Sequence, residues 1–460
     1  MAISRLRGPR FSPDLSFVLL AVLFVILWLA GGASREDVAG QIVVRAASWI
    51  AIVIAVLFAR RPRIEEARAA TLVLLAAILL CIAQLIPLPP GVWRALPGRA
   101  AFTDPLISPP DLWRPLSLVP GATVNALFSL ATPLAVLVLA TGVREGQRLW
   151  IPIVILAVIG FALLIGLLQF TGAQITNPLV NGGAGQVDGL FANRNHYALF
   201  LAVGLLIAPV WGVGAGSVSH VRAPIALGLV LLLVLTILAS GSRAGMVLGG
   251  IALVLGLTIA RRGVKSALHR YPRWTLSAIG VGIAALIAIF VLASVAADRA
   301  VSLDRLVELD TGEDMRSRGL PIVLAIIHTY FPVGSGLGSF DPIFRINEPF
   351  SLLKPTYFNH AHNDFLEIVL TAGLSGLLLL GAAIGWWLWR SISAWRTDSV
   401  LPKLGSATLL LILLASIVDY PARTPVIMAM ATIAAIWLGG AGRVGDAIGK
   451  APLPSTGHNL

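Results

Sequence analysis

Leu149–Phe170 reads LWIPIVILAVIGFALLIGLLQF, a run without a single charge. At ~1.5 Å rise per residue a helix of this length crosses the ~30 Å hydrocarbon core of a bilayer. Inside lipid only a helix or a closed barrel satisfies its own backbone hydrogen bonds, and a barrel strand alternates apolar with polar residues, which this run does not. Runs of the same kind recur outward from it, at 14–33, 39–59, 69–88 and 121–141 on one side. On the other side they lie at 194–213, 223–240, 244–260, 275–296, 364–389, 404–419 and 424–441. Composition agrees: 57% of the 460 residues are hydrophobic and 12% charged, about half the ~25% charge of soluble domains. Disordered, coiled-coil, collagen-like and disulfide-scaffold classes are excluded, and the single cysteine, Cys81, lies within an apolar run. The sequence predicts an all-α polytopic integral membrane protein of about twelve transmembrane helices, one membrane domain over 1–460. The first run has an alternative reading as a signal peptide, with Ala30 to Ser34 resembling a cleavage site. Its length favours a retained span.

A net charge of +12 suggests a nucleic-acid partner until it is mapped onto the spans. With the N-terminus inside, the inner segments carry 20 lysines and arginines and six acids, and the outer segments 13 and sixteen. That asymmetry is the positive-inside pattern, so the basic balance reports topology and no nucleic-acid partner is expected. Both termini are expected in the cytoplasm. The three longest connections, 89–120, 171–193 and 297–363, then fall on the outer face, where loops on a rigid scaffold carry chemistry. The Gly/Pro-rich tail 442–460 is expected to be a disordered cytoplasmic segment.

Within 297–363 an acidic stretch ending at Asp314 is followed by Met315-Arg316-Ser317-Arg318 and the apolar Leu320–Phe331. The latter is too short to span and reads as an interfacial or re-entrant helix, with Pro321 in its first turn. Next comes Pro332-Val-Gly-Ser-Gly-Leu-Gly-Ser-Phe340. Its alternate glycines either expose backbone N–H groups to an anion or simply turn the chain after a helix. The loop closes on Phe358-Asn-His360-Ala-His362-Asn363-Asp364-Phe-Leu-Glu367 and runs into the next span.

Several motifs share the outer face in a fixed order. Gly189-Leu-Phe-Ala-Asn193-Arg-Asn195-His196 opens one span, and Ser240-Gly-Ser-Arg243-Ala-Gly245 separates two others. Arg316 or Arg318 precedes a helix, the glycine turn follows, and His362-Asn-Asp-Phe-Leu366 leads to Gly373-Leu-Ser-Gly376. Together they resemble the O-antigen ligase family, bacterial enzymes handling undecaprenyl-pyrophosphate-linked glycans on the periplasmic face. The resemblance covers about 189–378, the expected core region. The earlier spans match only in topology, helped by Pro115-Leu-Ser-Leu-Val-Pro-Gly121.

The resemblance implies a pyrophosphate donor, which guanidinium groups bind bidentately. Arg243, Arg316 and Arg318 are the candidates. Arg243 stands in a short outer turn. Arg316 and Arg318 compete for one family position, and Asp310, Glu313 and Asp314 are ready ion-pair partners for either. Arg45, six residues into the second span, either snorkels outward or joins the site. His362 matches the family's acceptor-activating histidine, and histidine titrates near neutral pH, as a general base requires. His360 and Asn363 flank it. Asn193, Asn195 and His196 are expected to cap their helix or line the cavity. A rival zinc cluster of His360, His362, Asp364 and Glu367 fits no common spacing. No metal and no cofactor are expected.

The implied function is a multi-pass bacterial inner-membrane glycosyltransferase whose 297–363 loop is periplasmic and catalytic. It would move a glycan from undecaprenyl pyrophosphate to a lipid A–core hydroxyl. The alternative is a repeat-unit polymerase for O-antigen, capsule or exopolysaccharide, with a lipid-linked glycan acceptor. A lipid-linked oligosaccharide flippase or transporter is more distant, because it predicts repeat symmetry and mid-membrane ionisable groups.

Overall fold

A computed structural model describes residues 12–103, 111–182, 185–213, 221–269, a few positions from 272 to 282, 315–353 and 358–440. The chain is mostly helical, 76%. Nine helices among the described residues are long and apolar enough to cross a membrane, and Leu15–Ala30 and Pro425–Gly439 are shorter apolar helices. These two correspond to the first and last of the twelve expected spans. The ninth, 275–296, lies almost wholly outside the described residues, as do 297–314 and the tail 442–460.

In chain order the helices are α1 Leu15–Ala30, α2 Ala39–Phe58, α3 Arg68–Leu85, α4 Pro90–Ala95, α5 Pro120–Ser129 and α6 Ala131–Gly142. There follow α7 Ile151–Phe170, α8 Arg194–Val213, α9 Arg222–Ala239, α10 Arg243–Leu268 and α11 Met315–Tyr330. The last are α12 Phe340–Asn347, α13 Asp364–Arg396, α14 Val400–Val418 and α15 Pro425–Gly439. Two short strands, Pro87–Leu88 and Arg114–Pro115, pair antiparallel at the base of the 89–120 connection.

Helix α8 is the hub. It is buried almost along its whole length, against α7, α9, α10 and α14. Small residues make that possible, because lipid supplies no hydrophobic drive between helices and close backbone approach has to. A Cβ on Gly245 would meet Ala198 at 2.3 Å, and one on Gly256 would meet the Leu206 carbonyl at 2.8 Å.

The helix ends gather at two faces. At one, Arg63 pairs with Glu145 at 2.7 Å, Arg148 pairs with Glu66, and Arg262 reaches Asp398 at 3.0 Å. The other carries the long connections and the motifs above.

At this second face α11 ends in the glycine turn, which splices into α13. Gly373, at φ 59°, breaks the α13 helix. The freed carbonyls of Leu370 and Thr371 accept from Ser335 N at 3.0 Å and Gly336 N at 2.9 Å, and Leu374 N donates to Pro332 O at 2.8 Å. Gln84 of α3 completes the splice, donating to Thr371 O at 3.0 Å and accepting from Leu337 N at 2.7 Å. Arg99, fully buried, donates to the carbonyls of Leu116 at 2.7 Å and Gly334 at 3.2 Å. Burial pulls its guanidinium down to about 10, still charged at neutral pH, with Tyr330 partly offsetting that fall. The amides of Gly334, Ser335, Gly336 and Leu337 are therefore spent inside the protein, which favours the plain turn of its two readings. Helix α11 begins at Met315, which corrects the placing of Pro321: it lies inside the helix, not in its first turn. Its missing N–H removes one backbone bond a turn back.

Candidate active site

Four helix ends meet around one carboxylate. Asp419 caps the C-terminus of α14 and is buried, with 2% of its surface exposed. Its Oδ2 accepts from Asn193 Nδ2 at 3.0 Å and Asn195 Nδ2 at 2.7 Å, both at the start of α8. Its Oδ1 faces His362 Nδ1 at 3.1 Å and accepts from Tyr420 N at 3.1 Å. A carboxylate only accepts, so the shared proton sits on His362 Nδ1 and Nε2 is the basic nitrogen.

Backbone geometry aims the ring. Asn363 caps α13, accepting from Leu366 N at 3.0 Å, and fastens to α14 through Ile417 O at 2.8 Å. His362 just before it has φ 49°, a left-handed conformation that costs a non-glycine residue energy and is held only by its surroundings. Those surroundings are Asp419 and the rings of Phe358 and Tyr420, 5.1 and 4.9 Å away between centroids.

The network continues to an arginine. Asn195 Oδ1 accepts from Ser242 Oγ at 2.7 Å, and Ser242 caps α10 by accepting from Gly245 N at 2.9 Å. Arg243 is the next residue. It lines a cavity of about 690 Å³ with Arg194 and Asn195, whose remaining wall is apolar: Val247, Leu248 and Ile251 of α10 and Leu414, Ile417 and Val418 of α14. Two guanidinium groups at the mouth of an apolar groove suit an anionic headgroup on a hydrocarbon chain.

A second cluster lies on the other side of Tyr420. His360 Nδ1 is 3.0 Å from Glu367 Oε1, and Ala361 N donates to Glu367 Oε2 at 2.9 Å. Arg423 sits between Asp364 and Glu367, 3.3 Å from each. Both carboxylates are thus turned to a guanidinium while His362 turns to Asp419. Among the described residues, no three His, Cys, Asp or Glu come together as a metal site. His196 packs edge-on to Tyr420, and its Nδ1 lies 2.9 Å from Thr424 Oγ1.

The other arginines separate. Arg45 bonds Asn125 Oδ1 at 2.5 Å and lines a different cavity, of about 520 Å³, with His360 and Arg423. Arg318 donates to Ser351 O at 2.9 Å and does not line the cavity of Arg243. Arg316 is in the first turn of α11, and its side chain is outside the described residues.

Asp419, Tyr420, Arg423 and Arg194 were absent from the sequence-derived set. The signal existed for Arg423: like Arg243, it is an arginine in a short turn at the loop-bearing face. Loop 171–193, which delivers the two asparagines, is anchored by Asp188, bonded by Gln169 Nε2 at 2.9 Å. Burial pushes the Asp188 carboxyl above its usual range, and that bond draws it partly back.

No curated protein matches the chain. A family model described as O-antigen ligase matches residues 227–381, from within α9 to within α13. That interval contains Arg243, Arg316, Arg318, His360, His362 and Asn363, while Arg45, Asn193, Asn195, His196 and Asp419 lie outside it. Residues 227–381 of the chain are thus similar to the O-antigen ligase family.

Proposed function

We propose that the protein is a glycosyltransferase of the bacterial inner membrane. It transfers a glycan from undecaprenyl pyrophosphate to a hydroxyl of lipid A–core on the periplasmic face. The observation that carries this reading is the continuous network from His362 through Asp419, Asn195 and Ser242 to the first residue of α10, Arg243. It ties a proton acceptor to an anion site. Arg243 and Arg194 hold the pyrophosphate, and the apolar wall takes the polyprenyl chain. Of the α11 arginines, one of Arg316 and Arg318 joins them when donor is bound.

In the reaction, the acceptor oxygen forms a bond to the anomeric carbon as the bond from that carbon to the phosphate oxygen breaks. The electron pair leaves with undecaprenyl pyrophosphate, and the acceptor proton passes to His362 Nε2. A single displacement inverts the anomeric centre. Asp419 keeps Nδ1 protonated and stabilises the imidazolium that forms, while the arginines stabilise charge growing on the leaving group.

The test is transfer by purified, quantified protein from a lipid-linked donor. His362→Ala is expected to lower turnover per molecule by ~10²–10⁴-fold, with donor KM little changed. Arg243→Ala raises donor KM, and Arg243→Lys recovers only part of it, because lysine lacks the bidentate fork. Near-normal turnover of His362→Ala would remove the base. Deletion in the native host separates ligase from polymerase. Loss of all long chains from lipid A–core, with lipid-linked polymer accumulating, marks a ligase; core bearing a single repeat marks a polymerase.

A further inference from the structure

The cavity of about 520 Å³ beside His360 has no part in holding the donor as described above. It lies at the loop-bearing face between α2, α5 and α12, and its wall includes Arg45, Asn125, Asp341, Asn359, His360 and Arg423. Its size is that of a small-molecule site, ~300–1,000 Å³. Most of its charges are matched inside the protein. Asp341 pairs with Arg345 at 2.7 Å, Arg423 with Asp364 and Glu367, and Arg35 with Asp37.

Arg45 is the exception. It stands ~9 Å along α2 from the start of the helix. A guanidinium within a membrane-crossing helix is costly, and it is kept where it faces the protein interior or a polar cavity. Its hydrogen bond goes to the neutral Asn125 Oδ1 at 2.5 Å, and its Nε is buried with no partner. Among the described residues no carboxylate pairs with it; Glu36 acts on it only through space. A bond to an amide oxygen needs a donor but not a charge, so glutamine would serve there. A fixed cation with an unused N–H on a polar cavity instead suits an anionic ligand, held by charge-assisted hydrogen bonds.

The wall also limits which anion. Its other ions cancel in pairs, so the unmatched charge is that of one guanidinium. A carboxylate matches it. A phosphate dianion would meet Glu36, Asp37 and Asp341 on the same wall without a second unmatched cation. The Asn359 amide and the His360 ring, whose Nδ1 is already held by Glu367, suit hydroxyls, each of which both gives and takes a hydrogen bond.

We propose that this cavity recognises an acidic sugar, a uronic acid whose carboxylate is taken by Arg45. The proposal rests on the glycosyl-transfer reading for the sugar and deepens it. It adds a specificity for glycan charge that neither the donor pyrophosphate nor the acceptor hydroxyl requires.

The experiment measures binding directly, with full-length protein in nanodiscs and three free disaccharides that differ at one sugar: glucuronate, glucose or glucose 6-phosphate. Wild type is expected to bind the glucuronate form at least about tenfold more tightly than the neutral one. Arg45→Gln abolishes that preference and leaves affinity for the neutral disaccharide unchanged. Arg45→Lys, which keeps the charge without the fork, retains part of the preference and serves if the glutamine variant does not fold. Equal binding of the acidic and neutral forms, or a preference that survives Arg45→Gln, overturns the proposal. Tighter binding of the phosphate form overturns it by assigning the site to a phosphate. Donor KM, measured in the transfer assay, is expected to stay unmoved in both variants; a rise would assign Arg45 to the pyrophosphate and overturn the proposal too. Arg45-dependent binding of glucuronate by a wild type that transfers no glycan would remove the glycosyl-transfer reading and leave the acidic-sugar site standing.

Discussion

Around Tyr420, the candidate site draws together side chains separated by hundreds of residues. Asp419 is the residue on which they converge, and its substitution separates orientation from proton transfer. Asp419→Asn keeps the size but puts an amide against His362 and the two asparagines, so Nδ1 loses its fixed acceptor and the tautomer is no longer set. Turnover with purified protein is expected to fall by about 10²-fold or more, approaching the loss in His362→Ala, with donor KM little changed. Wild-type turnover would show that His362 needs no orienting carboxylate. His362 and Arg243 were legible in the sequence because each stands in a motif whose spacing survives translation into one dimension. Asp419 was not, and Arg423 carried only the weaker signal of an arginine in a short turn. Asp419 ends an apolar run and Arg423 sits in the turn beyond it, so both read as connection. Asp419 gains its place in the candidate site from contacts 57 residues away to His362 and 224 residues away to Asn195, and Arg423 from those to Asp364 and Glu367.

Between elements, the decisive piece is the splice of the glycine turn into the broken helix α13. The alternate glycines were plain in the sequence, but what they approach was not. An anion cradle and a backbone splice require the same freedom at positive φ, and only the position of Leu370 and Thr371 decides between them. Gly336 has φ 112°, and a Cβ there would lie 2.1 Å from Ser117 Oγ. Gly336→Ala combines that clash with backbone strain of about 1–3 kcal/mol, and thermal unfolding in detergent is expected to come earlier. Gly381→Ala is the control: it lies in α13, the helix into which the turn is spliced, with nothing within 4 Å of its added Cβ. At Gly381, inside α13, relief of glycine's entropic cost is expected to leave stability equal or raised by ~0.5–1 kcal/mol. Equal melting of the two variants would mean that the splice contributes nothing to the fold. The misplacing of Pro321 has a similar origin. A proline is a good marker of a helix start, but α11 begins two turns earlier at residues whose polarity hid it.

For the molecule as a whole, hydropathy made the spans readable because lipid imposes one rule on every crossing segment. Spans one and twelve came out as shorter helices, of 16 and 15 residues, since their ends turn into caps and packed loops. The charge asymmetry read from sequence falls on the two faces the structure brings together. Arg63, Arg144 and Arg148 lie at one face, while His362, Arg243 and Asp419 lie at the other. The positive-inside rule predicts that the basic face meets the cytoplasm, and single cysteines test that prediction. The native Cys81 is buried, 3% exposed, so background labelling is low. Ser351 is exposed at the loop-bearing face, and Glu145, with a side chain 72% exposed, is at the basic one. In cells with only the outer membrane permeabilised, Ser351→Cys is expected to react with an impermeant thiol reagent. Glu145→Cys is expected to react only after the inner membrane is lysed. The reverse pattern would put His362 and both cavities in the cytoplasm. The donor would then have to present its glycan on that side, and periplasmic transfer would fall with the orientation.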